Sequence, residues 1–308
     1  MTRKADARCF GQDLMRGEHT VGGGMSKTQA GKANPINKEN IPGYYYKLRS
    51  GMTPEQIVAE YNDTVLTSGT SIFDPVLCEL VYRWFCPVGG RILDPFAGGS
   101  VRGIVAAMLG YCYTGIDLRP EQVAANEDQA ERLCAGNPPK WHVGDSRDIA
   151  ALAHGEFDLI FSCPPYYDLE VYSEDARDLS SLCTYADFIA AYRAIVASSI
   201  AKLRDNRFAA FVVGDIRDSK GFYRNFVSDT ITAFQDAGAM LYNEAILVTA
   251  VGSLPIRIGR QFSGGRKLGK THQQLLVFYK GDPAKIKQEF PSVDVDLPQA
   301  EGGGDLAS

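Results

Sequence analysis

From residue 91 onward, short apolar runs bounded by turn residues alternate with stretches that have the length and composition of helices. The apolar runs are RILDPF, YCYTGIDL, KWHVGDS, FDLIFSC, FAAFVVGD, YNEAILVTA and HQQLLVFYK. Strands that alternate with helices form right-handed βαβ units. The pattern therefore predicts an α/β fold with a doubly wound, largely parallel, seven-stranded, Rossmann-like sheet. No obvious helix separates the last two runs, so we expect them to form a hairpin with an antiparallel final strand.

The remainder of the chain departs from this alternation. Residues 1–40 are rich in Gly, Lys, Asn and Gln without periodicity, which predicts a flexible N-terminal arm. Thr-Pro and Asp-Pro pairs are typical helix starts, and they predict helices over about 53–61 and 74–85. We therefore expect one folded domain over residues 41–282, followed by a flexible tail over 283–308.

Composition narrows the class of protein. Of the 308 residues, 45% are hydrophobic and 22% charged, as in ordinary soluble globular proteins. No apolar run approaches the ~20 residues that span a bilayer, so we expect no membrane partner. The four histidines do not lie at zinc-ligand spacing from another His or Cys, which argues against a metal site. Seven cysteines without a CxxC pair favour a reducing, cytoplasmic location.

Three candidate ligand-binding segments follow the first three predicted strands. The DPF loop (Asp94–Ser100, DPFAGGS) joins a strand to a helix, and its glycines let a ligand approach the backbone closely. It lacks the G-x-G-x-x-G pattern, so a nicotinamide dinucleotide is a remote alternative. Asp117 lies 23 positions after Asp94, about the spacing at which a carboxylate meets ribose hydroxyls. Asp145 and Ser146 follow the third strand, where either side chain can contact an adenine edge.

The sharpest chemical signal is the PPY loop (residues 162–166, SCPPY), directly after the strand FDLIF. Two consecutive prolines fix the backbone, so the neighbouring carbonyl groups can be aimed at an exocyclic amino group. Hydrogen bonds to such carbonyls pull the nitrogen lone pair out of conjugation and make the nitrogen nucleophilic. Tyr166 offers a stacking face for a base taken out of its helix.

The order and spacing of these segments resemble the amino-methyltransferase family of DNA enzymes, which make N6-methyladenine or N4-methylcytosine. The family's DPF-x-G-S/G and (D/N/S)PP(Y/F/W) loops stand here as DPFAGGS and CPPY, and the resemblance covers roughly residues 70–280. It implies a methyltransferase sheet with S-adenosylmethionine as cofactor and a flipped-out DNA base as substrate. The chain also looks like methylases of bacteriophage genomes, which implies a restriction-modification context in a bacterial or phage-infected cell.

The resemblance also assigns residues. It implies cofactor contacts, running from the methionine part through the ribose to the adenine, by Phe73, Asp94, Pro95, Phe96, Ala97, Gly98, Gly99, Asp117, Leu118, Asp145 and Ser146. It implies catalysis by Cys163, Pro164, Pro165 and Tyr166.

Cys163 departs from the family pattern, which has Asp, Asn or Ser at this position. A thiol is a weak hydrogen-bond acceptor. Cys163 either replaces Ser, with the Pro164 carbonyl polarising the amino group, or acts as the nucleophile of a C5-cytosine methyltransferase. The second interpretation is weaker, because those enzymes place proline before the cysteine. RNA or protein-glutamine methylation and a catalytically inactive binding protein are further alternatives.

The basic segment (residues 252–272) between the last two predicted strands is rich in glycine and carries no acidic residue. We expect it to be a target-recognition loop without regular structure. Its candidate phosphate and base contacts are Arg257, Arg260, Arg266, Lys267 and Lys270. The net charge of −5 speaks only weakly against this, since local patches decide whether a phosphate backbone is attracted. The expected partner is duplex DNA, bound by a monomer or a homodimer.

Overall fold

A computed structural model describes residues 73–134, 136–167, 175–248 and 254–292, with Met52, Thr53 and Gln56; for 254–257 it describes the backbone alone. The predicted arm over 1–40 and most of the helix predicted at 53–61 lie outside these residues. Thr53 and Gln56 are linked reciprocally: the Thr53 N–H donates to Gln56 Oε1 (2.9 Å) and the Gln56 N–H to Thr53 Oγ1 (3.2 Å). This capping box is typical of a helix N-terminus.

The described part of the chain forms a seven-stranded sheet in the order β3-β2-β1-β4-β5-β7-β6. The strands are β1 (Arg91–Asp94), β2 (Cys112–Asp117), β3 (Lys140–Val143), β4 (Phe157–Ser162), β5 (Leu203–Val213), β6 (Met240–Val248) and β7 (His272–Lys280). β1 to β5 pair in parallel, and β7 runs antiparallel to both β5 and β6. The predicted doubly wound, Rossmann-like fold class with an antiparallel final strand is confirmed.

Helices connect the strands, and side chains cap the starts of at least two of them. They are α1 (Pro75–Phe85), α2 (Val101–Met108), α3 (Pro120–Leu133), α4 (Ile149–Leu152), α5 (Tyr185–Lys202), α6 (Phe226–Asp236), α7 (Leu254–Gly265) and α8 (Ile286–Glu289). At the start of α1, the Asp74 carboxylate accepts from the Val76 N–H (2.9 Å). At the start of α5, Thr184 Oγ1 accepts from the Asp187 N–H (3.1 Å). Both caps satisfy backbone donors that a helix leaves unpaired. No helix in these ranges is long and apolar enough to cross a membrane.

Two hydrophobic clusters cover the opposite faces of the sheet. Ile92 and Leu159 belong to the cluster beneath α1, α2 and α3, whereas their neighbours Leu93 and Ile160 belong to the cluster beneath α5 and α6. This alternation follows from the two-residue period of a strand. Because helices cover both faces of the central strands, the strand ends are where a ligand can reach the sheet.

The C-terminal third of the chain differs from the prediction in two ways. The basic segment contains the helix α7, so β6 and β7 pair as predicted but are not joined by a structureless loop. The folded part also continues beyond residue 282, since Glu289 pairs with Arg207 (2.8 Å) and the Phe290 ring lies 5.1 Å from that of Phe208. The four-residue helix α8 is too short to show a hydrophobic period, which explains why composition alone indicated a tail from residue 283.

Candidate active site

A cavity of about 670 Å³ opens at the carboxyl ends of β1 to β4. Strand order reverses between β1 and β4, and in open α/β sheets ligands bind at this topological switch point. The DPF loop leaves β1 and the PPY loop leaves β4, so the two loops are neighbours across the reversal. The volume lies within the range of roughly 300–1,000 Å³ that is usual for small-molecule sites.

Most of the residues assigned to the cofactor line this cavity. They are Phe73, Pro95, Phe96, Gly98, Gly99, Asp117, Leu118, Asp145 and Ser146. Asp94 and Ala97 are fully buried beneath the DPF loop instead, so the expected direct contact of Asp94 with a ligand does not match its position. In the PPY loop, Cys163 and Pro165 line the cavity, whereas Pro164 is buried and Tyr166 is half-buried against β5.

Asp94 is the centre of a buried hydrogen-bond network. Its Oδ2 accepts from Arg102 Nε (2.6 Å) and from the Tyr113 hydroxyl (2.6 Å). Its Oδ1 accepts from Ser162 Oγ (2.5 Å) and from the Phe96 N–H (3.1 Å). Four donors therefore saturate one carboxylate, which ties the DPF loop to the first residue of the PPY loop.

Arg102 completes this network from α2. Its Nη2 donates to the carbonyl oxygens of Phe96 (2.6 Å) and Ala97 (2.9 Å), and its guanidinium lies 4.6 Å from the centre of the Phe73 ring. Burial disfavours the charged form of Arg102, but the adjacent Asp94 carboxylate outweighs it and raises the pKa of the guanidinium. The buried ion pair fixes the backbone of the DPF loop from below.

Gly98 and Gly99 form an open cradle at the tip of the DPF loop. Gly98 has φ +50°, a conformation that favours glycine, and a Cβ on either residue would meet no atom within 4 Å. The backbone of Gly98 is fixed on both sides: its N–H donates to Asp117 Oδ2 (3.0 Å) and its carbonyl accepts from Asn126 Nδ2 (2.7 Å). A ligand can therefore lie directly on a rigid stretch of main chain.

Asp117 ends β2 on the wall of the cavity. Its Oδ1 accepts from the Arg119 N–H (2.9 Å), in addition to the Gly98 bond to Oδ2. Burial raises the pKa of Asp117, although these two N–H groups and the charge of Arg119 act in the opposite direction. Each carboxylate oxygen keeps a further lone pair, which is what two ribose hydroxyls require.

Asp145 and Ser146 form the next part of the wall after β3. Ser146 Oγ donates to the Pro95 carbonyl and so fixes the start of the DPF loop. Burial opposes ionisation of Asp145, but the Arg147 guanidinium and backbone N–H bound to it hold the pKa of the carboxyl below its ordinary value. The carboxylate is therefore charged at neutral pH and faces the cavity.

Tyr166 lies at the boundary between the cavity and the far half of the sheet. Its hydroxyl accepts from Gln273 Nε2 (2.7 Å) and donates to the Val212 carbonyl (3.5 Å). The Cys163 thiol lies 3.9 Å from the same hydroxyl, and the ring packs edge-on against Phe226 at 6.0 Å. Contacts from β5, β7 and α6 thus hold the Tyr166 ring in one orientation.

The basic residues fall into two groups around this end of the sheet. Arg260 is exposed on α7, and Arg266 follows it with φ +52° and its guanidinium 5.1 Å from the Phe262 ring. Lys267 and Lys270 are half-buried, and a Cβ on Gly214 at the end of β5 would lie 3.7 Å from Lys270 Nζ. Burial lowers the pKa of Lys270, with Asp215 opposing the shift. The side chain of Arg257 lies outside the described part.

Several residues of the site carried no assignment from sequence. Arg102, Tyr113 and Ser162 organise the loops, and Gln122, Asn126 and Arg177 line the cavity. One signal was available for Arg102, because it is the one charged residue in the apolar helix VRGIVAAM. Apart from that, long-range packing brings these residues together.

The sequence matches no protein-family model and no curated protein. Among solved structures, the chain is similar to a putative sarcosine dimethylglycine methyltransferase from Galdieria sulphuraria (13% identity, TM-score 0.47), covering 72% of this chain and 88% of that one. It is similar to TrmN from Thermus thermophilus (16% identity, TM-score 0.44), with 68% of this chain matched to 49%, about half, of that one. It is also similar to magnesium protoporphyrin IX methyltransferase from Synechocystis with bound SAM (11% identity, TM-score 0.43; 67% and 79%). These similarities are at the level of the fold, and the chemistry rests on the site itself.

Proposed function

We propose that this protein is an S-adenosylmethionine-dependent methyltransferase that modifies an exocyclic amino nitrogen, adenine N6 or cytosine N4, of a DNA base. One observation carries the proposal. The DPF loop and the PPY loop leave adjacent strands at the switch point, share the buried carboxylate of Asp94, and border a single cavity. A cofactor loop and a loop suited to an amino group are therefore fixed against each other.

The cavity suits S-adenosylmethionine in size and in the order of its polar groups. The main-chain cradle at Gly98 and Gly99 suits the amino-acid part, since a side chain there would fill the space. The Asp117 carboxylate suits the ribose hydroxyls, and Asp145 with Ser146 suits the adenine edge. When bound, this cofactor supplies an electrophilic methyl group on a sulfonium.

In the proposed reaction the PPY loop makes the amino nitrogen nucleophilic. Pro164 is buried between Cys163 and Pro165, which line the cavity, and we assign its carbonyl as the principal hydrogen-bond acceptor for the amino group. The Cys163 thiol is a weak second acceptor. These bonds favour a tetrahedral nitrogen whose lone pair attacks the methyl carbon while the sulfur–carbon bond breaks. The nitrogen then loses one proton to solvent. Tyr166, held by Gln273 and Phe226, provides the ring face against which the base stacks.

Basic side chains near this loop favour a nucleic-acid substrate. Lys270 lies beside Gly214 at the end of β5, and Gln273, which binds the Tyr166 hydroxyl, adjoins the same position. Arg260, Arg266 and Lys267 extend the positive surface along α7 and the connection to β7. Cations next to a candidate base pocket suit the phosphates that flank a flipped base.

The test is methyl transfer from radiolabelled S-adenosylmethionine to unmethylated duplex DNA, RNA and protein offered side by side. We expect label in DNA. Label in RNA or in protein glutamine alone would replace DNA as the substrate while retaining the class of enzyme. Calorimetric binding of S-adenosylmethionine without any transfer would identify a catalytically inactive binding protein, and the absence of binding would refute the assignment of the cavity.

A further inference from the structure

A tight hairpin (residues 216–224) rises from the carboxyl end of β5. Arg217 and Tyr223 pair as an antiparallel bridge, and the Arg224 N–H donates to the Ile216 carbonyl (2.9 Å). At the turn, Asp218 Oδ1 accepts from the Phe222 N–H (2.9 Å). The Asp218 N–H in turn donates to the Phe222 carbonyl (2.8 Å). These reciprocal bonds fix the tip as a rigid element.

The hairpin exposes aromatic rings instead of burying them. The Phe222 side chain is 71% exposed and that of Tyr223 is 42% exposed. Arg217 stacks over Tyr223 at 3.9 Å from the ring centre and donates to the Gly221 carbonyl (2.8 Å), so the tip is braced from one side. Single exposed apolar residues are common on protein surfaces. Phe222 differs from such residues because it lies on a rigid tip, and a phenyl ring held rigidly in solvent is suited to contact a partner.

The charge around the hairpin identifies the chemistry of that partner. The residues at 214–224 and 258–271 include seven basic and two acidic side chains, in a protein of net charge −5. The two segments touch, since a Cβ on Gly221 would lie 2.7 Å from Lys267 Cε. Cations interleaved with exposed rings suit a polyanion that also offers flat faces, which is a nucleic acid.

The end of the hairpin at Arg224 lies next to the PPY loop. The Arg224 guanidinium lies 4.9 Å from the ring centre of Tyr167, the residue that follows the loop. Tyr167 is buried with φ +50°, and its hydroxyl donates to the Cys183 carbonyl (3.1 Å). The hairpin is therefore anchored beside the site where the target base is proposed to bind.

We infer that the hairpin contacts the nucleic-acid substrate and that Phe222 stacks against a base next to the one that is methylated. This inference goes beyond the proposed function and depends on a nucleic-acid substrate. Taking a base out of a duplex leaves its neighbours without a stacking partner. An inserted apolar ring compensates for part of that loss.

The test compares the binding of a short fluorescein-labelled duplex by the wild-type protein, Phe222→Ala, Phe222→Trp and the control Val88→Ala. Val88 is 87% exposed and precedes the amino end of β1, whereas the hairpin follows the carboxyl end of the parallel strand β5. Fluorescence anisotropy should show binding that is weakened roughly 5- to 100-fold by Phe222→Ala, restored by Phe222→Trp and unaffected by Val88→Ala. Duplex DNA should also quench the added emission of Trp at position 222.

Together with the methyl-transfer assay proposed above, this experiment distinguishes a failure of Phe222 stacking from a failure of methyl transfer. Unchanged affinity of Phe222→Ala, with no quenching in Phe222→Trp at saturating DNA, would overturn the inference even if wild-type protein methylates DNA. Quenching without methyl transfer would support the inference and refute the proposed function. Binding of RNA alone, with the same loss in Phe222→Ala, would support the hairpin contact and change the substrate. No binding of either nucleic acid would overturn both.

Discussion

We predict that removing the Asp94 charge from its buried network lowers the stability of the fold, by an amount that follows from the structure. Asp94→Asn keeps the shape of the side chain but removes the charge opposite Arg102, whose side chain is only 5% exposed. Removing one partner of a buried ion pair costs about 3–5 kcal/mol, because the other charge stays buried and uncompensated. For a domain of this size, that corresponds to a fall in Tm of about 6–20 °C.

The assay is thermal and urea unfolding of Asp94→Asn beside a matched control. Asp128→Asn breaks an exposed ion pair with Arg132 one helical turn away, and we expect it to cost less than about 1 kcal/mol. Calorimetry should also show lost affinity for S-adenosylmethionine in Asp94→Asn, because Arg102, which holds the carbonyls of Phe96 and Ala97, loses its partner. Equal stability losses in the two variants would refute the account of Asp94 as the anchor of both loops.

The remaining predictions concern the PPY loop and the basic residue beside it. Tyr166→Ala should leave S-adenosylmethionine binding unchanged and lower kcat for methyl transfer at least about ten-fold, since one base-stacking contact is lost. Normal turnover would show that the assignment of Tyr166 to catalysis is wrong. Cys163→Ser should retain or raise kcat, because a hydroxyl is the better acceptor, whereas complete loss would make the thiol a nucleophile. Lys270→Met should raise Tm at pH 7 and weaken DNA binding. Burial lowers the pKa of Lys270, so the folded state disfavours its protonated form, and the Tm difference from wild type should shrink as pH rises through that lowered pKa.

The sequence predicted the fold well because its signals are local. Strand periodicity and the Asp-Pro start of α1 were each readable within a few residues. The polar start of β5 was missed. Residues 204–207 (RDNR) include Asp and Asn, which are typical of turns. Arg204 and Arg207, however, both pair with Asp158 on the neighbouring strand β4 (2.7 and 3.3 Å). The helix α7 was missed because its glycines and its proline indicate a loop.

The sequence predicted where most residues of the site lie, but it predicted only part of what they do. Residues after the strands were readable, because the carboxyl ends of parallel strands meet at one edge. The role of Asp94 was not readable, since it depends on donors from α2, β2 and β4. The aromatic tip at Phe222 gave no signal in the sequence, because its exposure depends on the fold of the hairpin.

Mass spectrometry of nucleosides from duplex DNA, treated with the protein and methyl-labelled S-adenosylmethionine, identifies directly which atom of the base receives the methyl group. We expect labelled N6-methyladenine or N4-methylcytosine, because the PPY loop is suited to an exocyclic amino group. Labelled 5-methylcytosine would refute methylation of an amino nitrogen and make Cys163 the nucleophile.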